Sequence, residues 1–346
     1  MQLAASRSAA GNWQITAPDA YPVNATSQPT GMGRINAIAF HPTEVNTIYI
    51  GSPSGGIWKT TNHGLSWTDL SAGLPSLGVS SIVVNPENPD VIYIGTGDRD
   101  ANDAPGIGVY KTTDGGQHWT QINGTMGNVT VGALIMHPTD RSILYAATSG
   151  GIYKTVNAGA TWTGVLNPGN FKDIQFKPGD PTVLYAAYSS SGGAWFYRSG
   201  NSGVNWSWIS TSNGVPAAGS RMVIGTTPAD PDYVYLVLIK ASDKTFQALL
   251  RSTDSGLNFT TQSTSPNIFD YACNGSGTAT QATYDLCITA DPLDKNVVYV
   301  GSINNWKSTD GGSTWSITTH WSGDCNGSAT AVHADQHVYG WSPHFH

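Results

Sequence analysis

One octapeptide pattern recurs six times along this chain, and it constrains the fold more than any other feature. Each copy reads Ser/Thr-x-Asp/Asn-x-Gly-x-x-aromatic, and the first copy runs from Thr60 to Trp67. The Asp/Asn positions of the six copies are Asn62, Asp114, Asn157, Asn201, Asp254 and Asp310. Successive copies lie roughly 40 to 60 residues apart, a period that indicates a chain built from repeated supersecondary units.

Each octapeptide sits in the same context of short β-rich segments. An alternating apolar run such as 35–40 comes first, and a Pro-containing turn leads to a second run with a tyrosine such as Tyr49. A Gly-rich turn leads to a third run, 56–60, and the octapeptide leads into a fourth. Four strands per unit, repeated radially, is the plan of a β-propeller. The Asp/Asn residues are expected to bond amides in their own turns, which makes them structural rather than catalytic.

The two ends of the chain predict how such a ring closes. Residues 11–16 look like the end of a further octapeptide with its outer strand, and residues 330–338 look like an innermost strand. We therefore expect an all-β, seven-bladed propeller in which six blades are complete. The seventh is shared by the two termini or truncated, and the natural chain is expected to continue beyond His346. The chain, 1–346, is expected to be one domain with blades near 34–70, 79–122, 131–165, 171–209, 220–261 and 285–318.

Charge and composition exclude several classes of protein. Only 11% of the residues are charged and the net charge is −7, whereas an average soluble domain has about 25% charged residues. Nucleic-acid binding needs a basic face, so no nucleic-acid partner is expected. The sequence has no run of 18 apolar residues, so membrane insertion is not expected either.

The three cysteines bear on the cellular location. Cys273 and Cys325 lie in polar loops, and we expect a disulfide between them, with a Cys273–Cys287 pair as the alternative. Cys287 lies in an alternating strand-like run and is otherwise expected to be a buried thiol. A disulfide implies an oxidising compartment. An extracellular or cell-surface location is therefore expected, although the first ten residues lack the apolar segment of a signal peptide.

The six octapeptides resemble the Asp-box, or BNR, repeat. That repeat is shared by sialidases, the sortilin ectodomain, xyloglucan-cleaving glycoside hydrolases and many exported bacterial propellers. The segments Gly33-Arg-Ile-Asn-Ala-Ile-Ala-Phe-His-Pro42 and Gly55-Gly-Ile-Trp-Lys-Thr-Thr-Asn62 are most similar to sortilin-like propeller regions of large secreted bacterial proteins. The resemblance covers nearly the whole chain and implies the propeller fold, but it is not specific for one activity.

An acidic loop in the second blade is the first candidate site. It carries Asp98, Asp100 and Asp103 within the segment 97–106. Carboxylates at this density could bind Ca²⁺ through their oxygens, or they could contact a sugar. The plainer alternative is a solvated loop that Arg99 partly neutralises.

Aromatic residues in three places form the second candidate site. Tyr271 and Trp321 lie in the long segments 261–284 and 318–331, and Trp208 could join them. Exposed aromatic rings suit stacking on sugars or packing on a protein partner. The alternative is that they pack beneath their own loops.

A third candidate is the alternating series His333, Asp335 and His337. On a strand these side chains would point the same way, and they are suitable ligands for Zn²⁺. His344 and His346 could add ligands, while the alternative is a hydrogen-bonded structural cluster. The sequence requires no cofactor, and Ca²⁺ or Zn²⁺ are the only ones it suggests.

The enzyme hypotheses lack their expected residues. A glycoside hydrolase needs two carboxyl groups at the scissile bond. The resemblance to xyloglucan-cleaving enzymes implies a catalytic Asp just before a Gly-Gly pair in the first blade, but that place reads Ser52-Pro53-Ser54-Gly55-Gly56 and has no carboxylate. Sialidases need an arginine triad and a Glu, whereas the only glutamates, Glu44 and Glu87, lie in turns. No catalytic residue is therefore assigned.

The sequence favours a secreted or cell-surface module for binding or adhesion. Its expected ligand is a polysaccharide, a glycoprotein or a protein, held on the loop-rich face, and further domains could belong to a longer chain. One alternative is a xyloglucanase-like glycoside hydrolase that uses the acidic loop residues. The other is a structural scaffold in a surface assembly.

Overall fold

The fold consists almost entirely of short antiparallel strands. The computed structural model describes residues 33–322, 325 and 329–344, and these residues form six sheets. The helical segments in this part of the chain are two 3₁₀ turns, at Gly124–Met126 and Thr211–Asn213. Within the described ranges, no helix has the length and apolar character needed to span a membrane.

The first three sheets each contain four strands that neighbour one another in chain order. The first sheet consists of β1 (Ala37–Phe40), β2 (Ile48–Ser52), β3 (Gly56–Thr60) and β4 (Thr68–Asp69). The second consists of β5 (Val79–Val84), β6 (Ile92–Thr96), β7 (Val109–Thr112) and β8 (Thr120–Gln121). The third consists of β9 (Val131–Met136), β10 (Leu144–Thr148), β11 (Gly151–Thr155) and β12 (Thr163–Leu166).

The last three sheets follow the same order, and the sixth has an additional fifth strand. The fourth sheet consists of β13 (Phe171–Lys177), β14 (Asp180–Ser190), β15 (Gly193–Ser199) and β16 (Ser207–Ile209). The fifth consists of β17 (Met222–Thr226), β18 (Val234–Ile239), β19 (Phe246–Ser252) and β20 (Thr260–Ser263). The sixth consists of β21 (Cys287–Ala290), β22 (Val298–Gly301), β23 (Asn305–Ser308), β24 (Ser316–His320) and β25 (Thr330–Ala331).

The sheets are arranged radially around a central channel. Each first strand contacts the first strand of the next sheet, in the order β1, β5, β9, β13, β17 and β21. Apolar side chains fill the space between consecutive sheets, as Tyr185, Phe196, Leu236 and Phe259 do between the fourth and fifth. This is a β-propeller, as the repeat predicts, because each sheet buries its faces against its neighbours.

The octapeptides form six turns that share one hydrogen-bond pattern. In the first, Asn62 Oδ1 accepts the Thr60 hydroxyl and the Ser66 amide, each at 2.9 Å. Thr60 Oγ1 accepts the amide of Gly64 at 2.9 Å. The same three bonds recur in the turns of Asp114, Asn157, Asn201, Asp254 and Asp310. These side chains are therefore used within their own turns.

A cross-strand pair joins a sheet to the octapeptide turn of the next sheet. Tyr145 on β10 faces Lys154 on β11, and the ammonium lies 5.3 Å from the centre of the tyrosine ring. Both side chains donate to the main-chain oxygen of Ser202 in the fourth sheet's turn, at 2.8 and 3.0 Å. The equivalent contacts in neighbouring sheets are Tyr93 and Lys111 with Ala158, and Arg198 with Ser255.

The prediction of a seventh blade is wrong, because the described residues form six sheets. Of the expected inner strand 330–338, only Thr330–Ala331 is a strand, and it pairs in parallel with β24, at the outer edge of the sixth sheet. Asp335 has a φ of 75°, which interrupts the extended backbone that a strand requires. Residues 11–16 lie outside the described part of the chain.

Residues 332–344, here called the C-terminal segment, lie between the sixth sheet and the first. The Gln336 amide donates to the Ser302 oxygen of the sixth sheet at 2.8 Å. On the other side, His344 Nε2 lies 2.8 Å from the main-chain oxygen of His41, just after β1. An irregular segment therefore occupies the space where a further sheet was expected.

Candidate functional site

The acidic loop between β6 and β7 folds inward, so that two of its carboxylates face protein donors. Asp98 is fully buried and accepts the amides of Asp100 and Asp103 at 3.0 and 3.1 Å. Its carboxylate also pairs with Arg34. Although burial opposes ionisation, these bonds hold the pKa of Asp98 below its usual value. Asp103 lies at the surface, 58% exposed and 3.5 Å from Arg34.

Asp100 lies at the centre of a buried charge cluster formed with Arg99, Arg221 and His337. Its Oδ1 is 3.0 Å from Arg221 Nη2, and its Oδ2 is 3.3 Å from His337 Nδ1 and 3.5 Å from Arg99 Nε. Burial disfavours its charge, but Arg221 and Arg99 hold the pKa of Asp100 well below its usual range. Asp100 is therefore a permanent carboxylate at neutral pH and cannot act there as a proton donor.

A cavity of about 160 Å³ opens beside the charge cluster, between the second, third and fourth sheets. Its lining residues are Arg99, Asp100, Asn102, Thr130, Gly132, Ser149, Asn170, Phe171 and Lys172. The side chains of Arg99 and Lys172 also line a second cavity of about 130 Å³ in the central channel. Burial lowers the pKa of Lys172 to about 8, and the neighbouring charge of Arg221 acts in the same direction.

A second group of carboxyls lies where the chain enters β21. Asp285 is fully buried, and its Oδ1 accepts the Ser302 hydroxyl at 3.0 Å. Its Oδ2, like Asp335 Oδ1, is buried without a hydrogen-bond partner among the described residues. Burial raises the pKa of Asp285 to about 7, and the charge of Asp335 adds to that increase. A carboxyl that is protonated near neutral pH therefore interacts with a second carboxyl.

The structure brings together two of the three candidate aromatic residues. Tyr271 and Trp321 pack edge to face with their ring centres 5.8 Å apart. Trp321 Nε1 donates to the main-chain oxygen of Tyr271 at 3.2 Å. Trp208 lies elsewhere, on β16 of the fourth sheet, and is 58% exposed. Its ring alone of the three is largely open to a ligand.

The His333, Asp335 and His337 series lies on the irregular C-terminal segment and not on an inner strand. His333 is exposed, and its Nδ1 lies 2.9 Å from the main-chain oxygen of Ala334. His337 is buried against Asp100, and burial lowers its pKa. The strand alternation that would aim all three side chains in one direction is therefore absent at these residues.

A disulfide links Cys273 to Cys325, the pair that the sequence favours. Within the described ranges, these two cysteines and His320 are the only three potential metal ligands found with their ligand atoms within 4.8 Å of one another. The sulfurs are bonded to each other, and His320 Nε2 lies 2.7 Å from the Tyr271 oxygen. The group therefore holds two loops of the propeller together. Cys287 is a buried free thiol.

Removing this disulfide is expected to destabilise the protein. The bond closes a loop across 52 residues of sequence, and its loss in the double variant Cys273→Ser/Cys325→Ser should lower the free energy of unfolding by about 2–4 kcal/mol. Denaturant unfolding of the variant and of wild type, each with and without reductant, measures the effect. Reductant should shift the wild-type midpoint but not that of the variant. An unchanged wild-type midpoint would contradict the expectation.

Comparison with known proteins identifies relatives of one kind. Xyloglucanase Xgh74A of Acetivibrio thermocellus is 25% identical to this chain, over 84% of the chain and 39% of that protein. A xyloglucanase of Hypocrea jecorina is 25% identical over 57% of the chain and 27% of that protein. This chain is similar to xyloglucanases. It spans about two fifths of the length of the first of these relatives, and no family model matches it.

Solved structures similar to this one include GH74 enzymes and YCF48. An ancestral GH74 enzyme aligns with a TM-score of 0.60 at 18% identity, over 86% of this chain and 39% of that chain. The GH74 xyloglucanase from Xanthomonas campestris aligns with a TM-score of 0.58 at 17% identity, over 83% of this chain and 45% of that chain. YCF48 bound to D1 peptide aligns with 0.54 at 15%, over 82% of each chain. At these identities the likeness establishes the fold alone.

The similarity to xyloglucanases gives the turn between β2 and β3 particular interest. The segment 52–56 occupies the place where the resemblance implies a catalytic Asp, and it has no carboxylate. The turn is held by Ser52 Oγ, which accepts the Gly55 amide at 3.1 Å, and by Trp58 Nε1, which donates to the Gly55 oxygen at 2.7 Å. Any proton transfer must therefore use carboxyls elsewhere on the propeller.

Lys172, Arg221 and Asp285 are not among the site residues that the sequence predicted. The signal for all three is the same. Each is a charged residue in or just before the first strand of a sheet. In a chain with 11% charged residues, such placements indicate a polar channel mouth.

Proposed function

We propose that this chain is a glycoside hydrolase of the xyloglucanase type, which acts on a β-glucan held across the loop-bearing face. The observation that supports this function is the sequence similarity to xyloglucanases, which extends over 84% of the chain. The cavity beside Asp100 lies on the same face and offers amide and hydroxyl groups to a sugar.

The choice of catalytic carboxyls follows from their protonation. Glycosidic cleavage needs one carboxyl that donates a proton and a second that is ionised. Asp98 and Asp100 cannot be the donor, because their pKa values are lowered. Asp285 suits that role, since burial raises its pKa to about 7. Asp335 is the neighbouring carboxyl that would serve as the second, ionised group.

In the proposed reaction, Asp285 gives its proton to the glycosidic oxygen as the bond to the anomeric carbon breaks. The Asp335 carboxylate takes a proton from the attacking water or bonds to the anomeric carbon itself. Asp285 has no solvent exposure. The C-terminal segment, which carries Asp335, must therefore shift away from the sixth sheet before the substrate can reach Asp285.

Release of reducing ends from xyloglucan tests this function. Asp285→Asn and Asp335→Asn are each expected to lower kcat by about 100-fold, the scale of a general acid or base. Asp294→Asn is the matched control, because Asp294 is exposed in the turn at the other end of β21. The proposal fails if wild type releases no new ends, or if all three variants retain wild-type rates.

Binding without cleavage is the second candidate function, and two observations favour it. The segment 52–56 lacks the carboxylate that the resemblance implies, and the Asp285 side chain is enclosed in the present arrangement. Such a module would deplete xyloglucan from solution and release no reducing ends. Measuring both quantities in one sample separates the two functions.

The disulfide supports an extracellular location. Disulfides persist in secreted and cell-surface proteins and are rare in the reducing cytosol. A hydrolase of a cell-wall polysaccharide would also meet its substrate outside the cell. We propose that the protein acts there.

A further inference from the structure

Lys172 is a cation without a direct partner among the residues that the structure describes. It lies on β13, half-buried, and its side chain lines both the cavity beside Asp100 and the cavity in the channel. No described residue accepts a hydrogen bond from its ammonium or lies within ion-pair distance of it. An ammonium that lines a cavity and has no protein acceptor can pair with an anionic group of a ligand.

The nearby carboxylates are already committed to other cations. Asp100 lies 3.0 Å from Arg221 and 3.5 Å from Arg99. Asp98 pairs with Arg34 and accepts amides of its own loop. Two cations, Arg99 and Lys172, and a single carboxylate therefore line the cavity wall. The local charge is positive, although the chain as a whole has a net charge of −7.

The remaining lining indicates what kind of anion fits. Asn102, Thr130, Ser149 and Asn170 contribute amide and hydroxyl groups, and Phe171 contributes an aromatic side chain. Neutral polar groups around a cavity of about 160 Å³ match a single ring that carries several hydroxyls. They suit a sugar acid better than an extended peptide, which would need a groove with apolar side pockets.

We propose that this cavity binds a hexuronate unit of an acidic β-glycan, with the Lys172 ammonium paired to the sugar carboxylate. The inference rests on the proposed action on a β-glycan, and it specifies the substrate class as one with carboxylate-bearing side groups. Lys172 would then discriminate between acidic and neutral versions of the same polymer.

The pH dependence follows from the groups that face Lys172. Burial, Arg221 and Arg99 lower its pKa to about 8, whereas Asp100 and Asp98 raise it. The free cavity therefore loses the ammonium charge as the pH rises through about 8. A preference for the carboxylate should be present at pH 6.5 and lost by about pH 9.5, while the uronate itself remains ionised throughout.

The test compares two forms of one polymer. Native xyloglucan and xyloglucan whose side-chain primary hydroxyls have been oxidised to carboxylates are titrated against the full chain by affinity electrophoresis. We expect wild type to bind the oxidised form about tenfold more tightly, the scale of one charge-assisted contact. Lys172→Met should reduce this ratio to about one. Lys240→Met, which removes an exposed lysine, should leave the ratio unchanged.

Each outcome has a separate meaning. Equal binding of both polymers by wild type overturns the Lys172 inference and leaves the proposed function standing, whereas binding of neither polymer defeats the proposed function as well. A short acidic peptide titrated in parallel overturns the sugar assignment if it binds more tightly than the oxidised polymer and depends on Lys172. If Lys172→Met fails to fold, the wild-type protein still tests the proposal. Its preference for oxidised over native xyloglucan should be lost between pH 6.5 and 9.5, and a preference that persists at pH 9.5 would contradict the role of Lys172.

Discussion

Replacing Asp100 with asparagine is expected to lower the free energy of unfolding by about 3–5 kcal/mol at pH 7. The substitution removes the carboxylate that Arg221 and Arg99 share, and it leaves both guanidinium groups buried without that countercharge. Breaking a buried pair in this way is costly, because the remaining charge keeps its desolvation penalty. The acidic loop thus contributes mainly to stability.

The effect of this variant should depend on pH in a defined direction. The pKa of Asp100 is lower in the folded protein than in the unfolded chain. Its stabilising contribution is therefore fully present above the unfolded value, about 3.9, and is lost as the pH falls below it. Denaturant unfolding at pH 7 and at about pH 2.5 should show a smaller difference from wild type at the lower pH.

Asp103→Asn is the matched control for Asp100→Asn. It lies in the same loop, but its side chain is 58% exposed, so its loss should cost less than about 1 kcal/mol. Equal destabilisation by the two variants would contradict the assignment of Asp100 as the centre of the charge cluster.

Asp285→Asn is expected to have the opposite effect and to stabilise the protein in alkaline solution. Burial raises the pKa of Asp285 to about 7, whereas the unfolded value is about 3.9. Between these values the unfolded chain loses its proton more readily, so ionisation favours unfolding as the pH rises. The cost should reach about 2–4 kcal/mol by pH 8, and a neutral asparagine avoids it.

Thermal and denaturant unfolding across pH 4 to 8 measures this gain. The difference between Asp285→Asn and wild type should be near zero at pH 4 and largest at pH 8. Asp294→Asn, at an exposed position, should show no such trend. A flat difference for Asp285→Asn would mean that the group titrates normally. Because the variant is expected to be stable, a loss of activity in it cannot be ascribed to unfolding.

The architecture could be predicted from the sequence because its signal is local and repeated. The side-chain hydrogen bonds of the Asn62 turn join Asn62 to Thr60 and Ser66 and Thr60 to Gly64, all within a few residues of sequence. Such a turn can be recognised without knowledge of distant contacts. The apolar alternation before each turn then gives the strands.

The number of blades could not be predicted in the same way. The alternation of His333, Asp335 and His337 is typical of a strand, but the positive φ of Asp335 and the burial of His337 against Asp100 depend on distant residues. Tertiary contacts determined the conformation of this segment, and its local pattern was misleading. Closure of a ring is a global property that an end segment alone does not specify.

In the candidate site too, the sequence predicted the local features but not those that depend on distant contacts. The sequence drew attention to Asp98 and Asp100 as ligands for Ca²⁺ or a sugar, with a solvated acidic loop as the alternative. Their partners, Arg34 and Arg221, lie on other blades. Only the folded propeller brings these charges together, and only there does Lys172 line a cavity without a partner among the described residues.

The contact between Tyr145, Lys154 and the Ser202 oxygen has a consequence for how such a chain can evolve. A blade of this kind carries the donor pair on its own strands and the acceptor carbonyl in its own turn. A duplicated blade would bring both halves of the contact with it. If the copy were inserted next to the original blade, each donor pair would still meet an acceptor carbonyl. Contacts of this repeated kind would therefore tolerate the gain of a blade better than interfaces that are unique to one pair of blades.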